Sequence, residues 1–232
     1  MIGRSFFGRT PSISKDEALK QTELDFIGKN QRIDFVLPEG AVLYLYQRFY
    51  TPTQADQLFN TLLKEVDWQE EEIVIFGKRA KVPRLMCWYG DADAYYLYSG
   101  VNHTPSPWNT TLLAIKKKIE LECECSFNSV LANLYRDGND SMGCHADDEK
   151  ELGINPTIAS LSLGDERLFK LHHKKRKQSL NIKLNHGDLL VMGGSLQQYW
   201  VHSVPKTKRP KTARINLTFR KIVTGFNVNQ VK

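Results

Sequence analysis

Two hydrophobic rhythms divide the chain. After Thr51-Pro52-Thr53-Gln54, apolar residues fall at Leu58, Phe59, Leu62, Leu63 and Val66, the spacing of an amphipathic helix. Thr51 is placed to cap its N-terminus, Pro52 to take the first helical position and Gln54 to close a capping box. A second helix is predicted after Ser106-Pro107, where Trp108, Leu112, Ile115 and Ile119 share a face. Elsewhere the period is two. A strand is predicted over 41–49, and a hairpin over 72–86 with its turn near Gly77. Tyr89 to Gly100 reads as a turn and a short aromatic strand. From Phe127 onward strand follows strand, over 127–135, 157–163, 167–172, 179–184, 188–192, 199–204 and 213–222, with a clear turn at Asn185-His186-Gly187-Asp188. Many short strands separated by turns imply a mainly β (α+β) fold, a sandwich or jelly roll, with the helices buttressing one sheet face. Residues 1–40 are mixed and polar and form an N-terminal extension, with a short helix near Ser14 to Leu24. The pattern thus divides the chain into 1–40, a helix-and-hairpin region over 41–125, and a β core over 126–232.

Composition narrows the class. The chain has 232 residues, enough for one good-sized domain plus an extension. No apolar run reaches the roughly 18 residues of a membrane span, and Met1-Ile2-Gly3-Arg4-Ser5-Phe6-Phe7 lacks a signal-peptide core. The expectation is a monomer with no membrane partner, cytoplasmic, or nuclear in a eukaryote. Its four cysteines, Cys87, Cys123, Cys125 and Cys144, form no C-x-x-C pair and read as reduced thiols. The net charge of +6 favours a polyanionic partner. Its placement says more: His172-His173-Lys174-Lys175-Arg176-Lys177 and Lys206-x-Lys208-Arg209-Pro210-Lys211 are local basic clusters suited to phosphate.

The chemistry centres on Met142-Gly143-Cys144-His145-Ala146-Asp147-Asp148-Glu149. On an extended backbone His145 and Asp147 project to the same side and can share a metal. Alone the pair is weak, since 6 His and 26 acidic residues would give a His-x-acid about 0.7 times by chance. A third ligand appears at His202, in Tyr199-Trp200-Val201-His202-Ser203-Val204. Two His and one carboxylate make a facial triad, which leaves iron positions open for a co-substrate and O2. In Arg214-Ile215-Asn216-Leu217-Thr218-Phe219-Arg220 the two arginines share a strand face, while Ile215, Leu217 and Phe219 take the other. Two arginines can clamp a dicarboxylate. Leu131-Ala132-Asn133-Leu134-Tyr135 similarly offers an amide and a phenol from one face.

These motifs, with Asn133-Leu134-Tyr135-Arg136-Asp137-Gly138 and Ile158-Ala159-Ser160-Leu161-Ser162-Leu163-Gly164, resemble the AlkB family of Fe(II)/2-oxoglutarate dioxygenases, over residues 70 to 222. The likeness is strongest to the DNA-repair branch, although two motifs also resemble the single-strand and RNA-acting branch. It implies a double-stranded β-helix, itself a jelly roll, as the catalytic core, with 41–125 serving nucleotide recognition. His145, Asp147 and His202 would hold Fe(II). Arg214, Arg220, Asn133, Tyr135 and Asn216 would hold 2-oxoglutarate. O2 completes the reaction, which converts an N-methyl carbon to formaldehyde and leaves succinate, CO2 and the unmodified base. By the same resemblance, Tyr98 and the His145 ring sandwich a flipped-out base, with Tyr96 and Ser99 beside it. Asp148 and Glu149 would select the positive charge of 1-methyladenine or 3-methylcytosine. Phe76, in Val74-Ile75-Phe76-Gly77-Lys78, resembles an aromatic wedge that fills the gap in a duplex. DNA is the expected partner and RNA the alternative.

Two other classes share part of this pattern. A 2-oxoglutarate hydroxylase of a protein or small molecule would need the iron and co-substrate residues, but not Tyr98, Glu149, Phe76 or the basic clusters. A non-catalytic nucleic-acid-binding jelly roll would not need a complete ligand set.

Overall fold

The structure is a computed structural model that describes residues 31–75, 78–94, 96–98 and 101–223. It begins with β1 (Gln31–Asp34) and β2 (Ala41–Gln47), then helix α1 (Pro52–Glu65). A long hairpin, β3 (Gln69–Ile75) and β4 (Lys78–Gly90), leads to a two-stranded ribbon, β5 (Tyr96–Tyr98) and β6 (Val101–His103), and helix α2 (Thr110–Cys123). Next come β7 (Ser129–Tyr135), β8 (Met142–His145), β9 (Ile158–Gly164) and β10 (Arg167–His173). The last elements are β11 (Ser179–Leu184), β12 (Leu189–Gly194), the one-turn helix α3 (Leu196–Tyr199), β13 (Trp200–Val204) and β14 (Arg214–Arg220).

Two antiparallel sheets carry the fold. The larger has eight strands in the order β1-β2-β12-β9-β14-β7-β4-β3, and the smaller has four, β11-β10-β13-β8. Alternation explains how the large sheet serves two cores. Val130, Ala132, Leu134, Leu161, Leu163, Ile215, Leu217 and Phe219 face one way and pack with Leu62 of α1 and Leu112, Ile115 and Ile119 of α2. Leu43, Leu45, Ile158, Leu190 and Met192 face the other way and pack with Phe169, Leu171, Ile182 and Trp200 of the small sheet. The second space is the interior of a jelly roll, and in β7, β9 and β14 its lining turns polar.

Helix α1 begins as the sequence predicts: the Thr51 hydroxyl accepts from Gln54 N and the Gln54 side chain accepts from Thr51 N. Its buried face is narrower than the apolar stripe. Ala55, Leu62 and Val66 are buried, whereas Leu63 is 40% exposed, because α1 packs on the sheet along one line only. Strand β1 extends the sheet into residues that the pattern assigned to the extension, pairing Ile33 with Leu45. Strand β4 runs through Tyr89 and Gly90, where a turn was expected, since both pair with β7. The helix expected near Ser14 to Leu24, the hairpin tip at Phe76 and Gly77, and Ser99 lie outside the described residues. No helix among the described residues is long and apolar enough to cross a membrane.

Candidate metal and co-substrate site

Strands β8 and β13 pair with His145 directly opposite His202, and the two ring centroids are 4.3 Å apart. On its other side His202 stacks on Phe169 at 5.2 Å. Asp147 follows β8 instead of continuing it, yet its Oδ1 lies 3.7 Å from His145 Nε2. Each of the three residues offers a ligand atom within 4.8 Å of the others. His145 Nδ1 lies 2.9 Å from the Gly143 carbonyl. A carbonyl can only accept, so Nδ1 donates to it, and Nε2 is the nitrogen left to face Asp147 and a metal. Cys144, between the ligands, is exposed and turned away, as alternation predicts.

The electrostatics suit a divalent cation. Asp147 is 3% exposed. Burial pulls its carboxyl pKa up, but the Arg220 guanidinium and the two imidazoles outweigh that and hold it down at about 2. Arg220 Nη2 donates to Asp147 Oδ1 at 2.9 Å, and Gln197 Oε1 accepts from the Asp147 backbone N at 3.0 Å. Burial, then the neighbouring His145, push His202 down to about 3. At neutral pH the set is one carboxylate with a neutral buried imidazole. Asp147 Oδ2 and His202 Nδ1 are buried with no hydrogen-bond partner. A buried carboxylate oxygen left without a partner is costly unless something cationic meets it. The residues therefore fit the 2-His-1-carboxylate arrangement that leaves open positions on iron.

A narrow pocket reaches this triad from between the sheets. Strand β14 lies between β7 and β9, with Asn216 opposite Asn133 on one side and Ser162 on the other. Its even-numbered residues face the pocket side and its odd ones the helices, as alternation predicts. Asn133, Tyr135, Ser160, Asn216, Thr218 and Arg220 line the pocket. Asn216 Nδ2 donates to Ser160 Oγ at 2.8 Å and Thr218 Oγ1 to Asn216 Oδ1 at 3.0 Å, which fixes the amide. Arg214 sits beside the wall, its guanidinium 5.1 Å from the Tyr135 ring centroid. It is 1% exposed, donates from Nη2 to Ser162 Oγ at 2.9 Å, and has no partner for Nε or Nη1. Two unsatisfied donors on a buried guanidinium are suited to a carboxylate.

The structure does not treat all the expected substrate residues alike. Glu149 is half-buried and its Oε2 is buried without a partner. Asp148 is exposed and ion-paired with Lys174 at 3.0 Å, so its charge is directed to the basic hairpin and not to the pocket. Tyr96 and Tyr98 lie on β5, opposite His103 and Val101. In the first basic cluster His173 is buried against Glu39 at 2.7 Å, and Arg176 pairs with the same Glu39. Lys175 and Lys177 are exposed, as are Lys206, Lys208 and Arg209 of the second. Sequence reasoning missed Arg84, Arg167 and Gln197, all buried near the pocket or its loops. Arg167 donates to the carbonyls of Asp137, Asp140 and Pro205 and so pins the loops around β8 and β13. Gln197 carries no signal in sequence. Arg84 does: it is a charge on a strand face that also holds Val82 and Met86.

The 2OG-Fe(II) oxygenase superfamily model matches residues 42–220. DNA oxidative demethylase ALKBH2 of Bos taurus is 37% identical over 77% of this chain and 68% of its own length. The chain belongs to the AlkB family of 2OG-Fe(II) oxygenases. Within the AlkB family, human ALKBH2 is 38% identical over 77% of this chain and 72% of its own length. Human alpha-ketoglutarate-dependent dioxygenase alkB homolog 3 is 37% identical over 77% of this chain and 65% of its own length. The chain thus spans about two thirds of that relative. The structure of OsALKBH1 superposes with a TM-score of 0.58 over 82% of this chain and all of the other, at 20% identity, a likeness of fold. Family and triad together support Fe(II) and 2-oxoglutarate.

Proposed function

We propose that this chain removes methyl groups from ring nitrogens of DNA bases by oxidation, with Fe(II), 2-oxoglutarate and O2, and acts as a monomer. The observation that carries the reading is the 38% identity, over 77% of the chain, to a protein named DNA oxidative demethylase. The site agrees with it. Bound iron supplies the oxidising chemistry that turns an N-methyl group into one that leaves as formaldehyde. The chain does the rest. His145, Asp147 and His202 hold the metal, and Arg220 keeps Asp147 ionised. Arg214 takes one carboxylate of 2-oxoglutarate on its two free donors, with Asn133, Tyr135 and Asn216 along its length. His145 is the most open ligand, with 27% of its side chain exposed, so the base approaches from its side. The Glu149 carboxylate, whose buried Oε2 has no hydrogen-bond partner among the described residues, favours a cationic methylated base over a neutral one. Lys175, Lys177, Lys206, Lys208 and Arg209 are free to meet phosphates. Phe76, which resembles an aromatic wedge in sequence, would serve a duplex substrate.

The test is formaldehyde release with Fe(II) and 2-oxoglutarate on single-stranded DNA, duplex DNA and RNA carrying 1-methyladenine, with His145→Ala as control. Release from DNA that the variant loses is expected. Release from RNA alone would refute the DNA assignment. Consumption of 2-oxoglutarate only with a protein or small-molecule substrate would refute the dealkylase reading.

A further inference from the structure

Strand β4 carries one charge on the face that looks between the sheets. Its register sets Met86 opposite Asn133 and Leu85 opposite Leu134, so Val82, Arg84 and Met86 fall on the side of Asn133. All three are buried, Arg84 at 3% exposure. Arg84 Nε donates to Asn133 Oδ1 at 2.6 Å, and Nη1 reaches the Ser141 carbonyl at 3.4 Å. Ser141 N in turn donates to the Pro83 carbonyl at 2.9 Å, so this corner of β4 is fastened to the segment that enters β8. Among the described residues Arg84 forms no ion pair within 4.0 Å.

Two consequences follow for the pocket. A guanidinium only donates, so the Asn133 oxygen must face Arg84 and its NH2 group must face away. That NH2 reaches the Leu131 carbonyl only at 3.5 Å, the limit of a hydrogen bond, and Asn133 lines the pocket. A donor is therefore held ready at the pocket wall. The second consequence is charge. A buried cation without a carboxylate is costly, and among the described residues Arg214 likewise meets no carboxylate, only the Ser162 hydroxyl and Tyr135, while Arg220 meets Asp147. The surplus is positive and suits a dianion.

We propose that Arg84 is a positioning residue of the co-substrate site: it aims the Asn133 NH2 group into the pocket and supplies uncompensated positive charge for 2-oxoglutarate. The proposal rests on this pocket being the 2-oxoglutarate site. It makes β4, the strand that leaves the nucleotide-recognition hairpin, part of the co-substrate cradle.

The experiment measures 2-oxoglutarate binding by calorimetry on the full chain loaded with Mn(II), with no nucleic acid present. Variants are Arg84→Ala, Arg84→Lys, Asn133→Ala and the double alanine. Thermal unfolding reports folding, and fluorescence anisotropy reports binding of a methylated oligonucleotide. Arg84→Ala is expected to weaken 2-oxoglutarate binding by about 10- to 100-fold, the worth of a charge-assisted bond. Arg84→Lys, which keeps charge but loses the fork, should lose less. Mn(II) and oligonucleotide affinities should hold within about twofold, and the double variant should lose less than the product of the singles. Unchanged 2-oxoglutarate affinity in Arg84→Lys and Arg84→Ala overturns the proposal. So does a loss confined to the oligonucleotide, or fully multiplicative effects. If the alanine variant does not fold, Arg84→Lys decides: an unchanged affinity overturns the role. A wild-type protein that binds 2-oxoglutarate but demethylates no DNA would sink the proposed function and leave this role standing. One that binds none would sink both.

Discussion

Replacing Arg214 with methionine is predicted to move folding stability and co-substrate affinity in opposite directions. In the unliganded protein its charge is wholly buried, and burial lowers the guanidinium pKa from 12.5 to about 10. At 1.36 kcal/mol per pH unit that fall corresponds to roughly 3 kcal/mol held against the charged form. Methionine removes this penalty and fills much of the space. It also forfeits the 2.9 Å charge-assisted bond to Ser162, worth about 1.5–3 kcal/mol. The balance lies between neutral and a gain of roughly 1.5 kcal/mol in the apo protein, the direction seen when buried charges give way to apolar residues. Affinity should go the other way. Losing two charge-assisted bonds to a carboxylate weakens 2-oxoglutarate binding by about 100-fold or more. Urea denaturation of metal-free protein measures the first effect and calorimetry the second. A variant more than 1 kcal/mol less stable than wild type would refute the view of Arg214 as an uncompensated charge. Retained affinity would refute its role as a clamp.

Three further outcomes are expected. His202 has a folded pKa of about 3 against 6.5 for a free imidazole, so the unfolded chain takes up that proton first. Its contribution to stability is then full above about pH 6.5 and declines toward pH 3, by at most roughly 5 kcal/mol. Denaturation midpoints of apo protein across that window should fall more steeply for wild type than for His202→Gln; parallel curves would contradict this. Arg220→Gln strands the buried Asp147 carboxylate and should cost about 3–5 kcal/mol; a loss under 1 kcal/mol in denaturant titration would show that the pair is not what holds the carboxylate. Gly164 has φ of +92°, and a Cβ there would meet the Ala213 carbonyl and stand 3.1 Å from the Arg214 Cα. Gly164→Ala should cost about 2–4 kcal/mol and weaken 2-oxoglutarate binding through Arg214; wild-type values for both would count against it.

Much of the site was legible because strands keep their own parity. The alternation in Arg214–Arg220 and in Leu131–Tyr135 correctly set polar side chains on one face and core residues on the other. His145 and Asp147 came together as expected, although the strand ends at His145 and the loop does what the pleat was expected to do. What local pattern could not supply was contact across the fold. Arg84 and Asn133 are 49 residues apart, and Asp147 meets Gln197 over 50. Asp148 and Glu149 look equivalent in sequence, yet Lys174, which arrives from β10, claims only the first. Leu63 belongs to the apolar stripe but is exposed, since none of the described residues buries that side of α1.

Strand β14 is buried at every residue and hydrogen-bonded along both edges, which makes it a rigid measuring rod. Six residues at about 3.3 Å each set the two arginine α-carbons about 20 Å apart. Arg214 leans inward along the strand, since the Ser162 it bonds lies opposite Asn216. Arg220 is committed to the ligand Asp147 at the other end. The backbone thus fixes the spacing of the two α-carbons, and the bonds to Ser162 and Asp147 hold the two side chains that span the rest. If the proposed clamp holds, diacids one methylene shorter or longer than 2-oxoglutarate are expected to bind more weakly than 2-oxoglutarate in calorimetry, and equal affinities would refute the gauge.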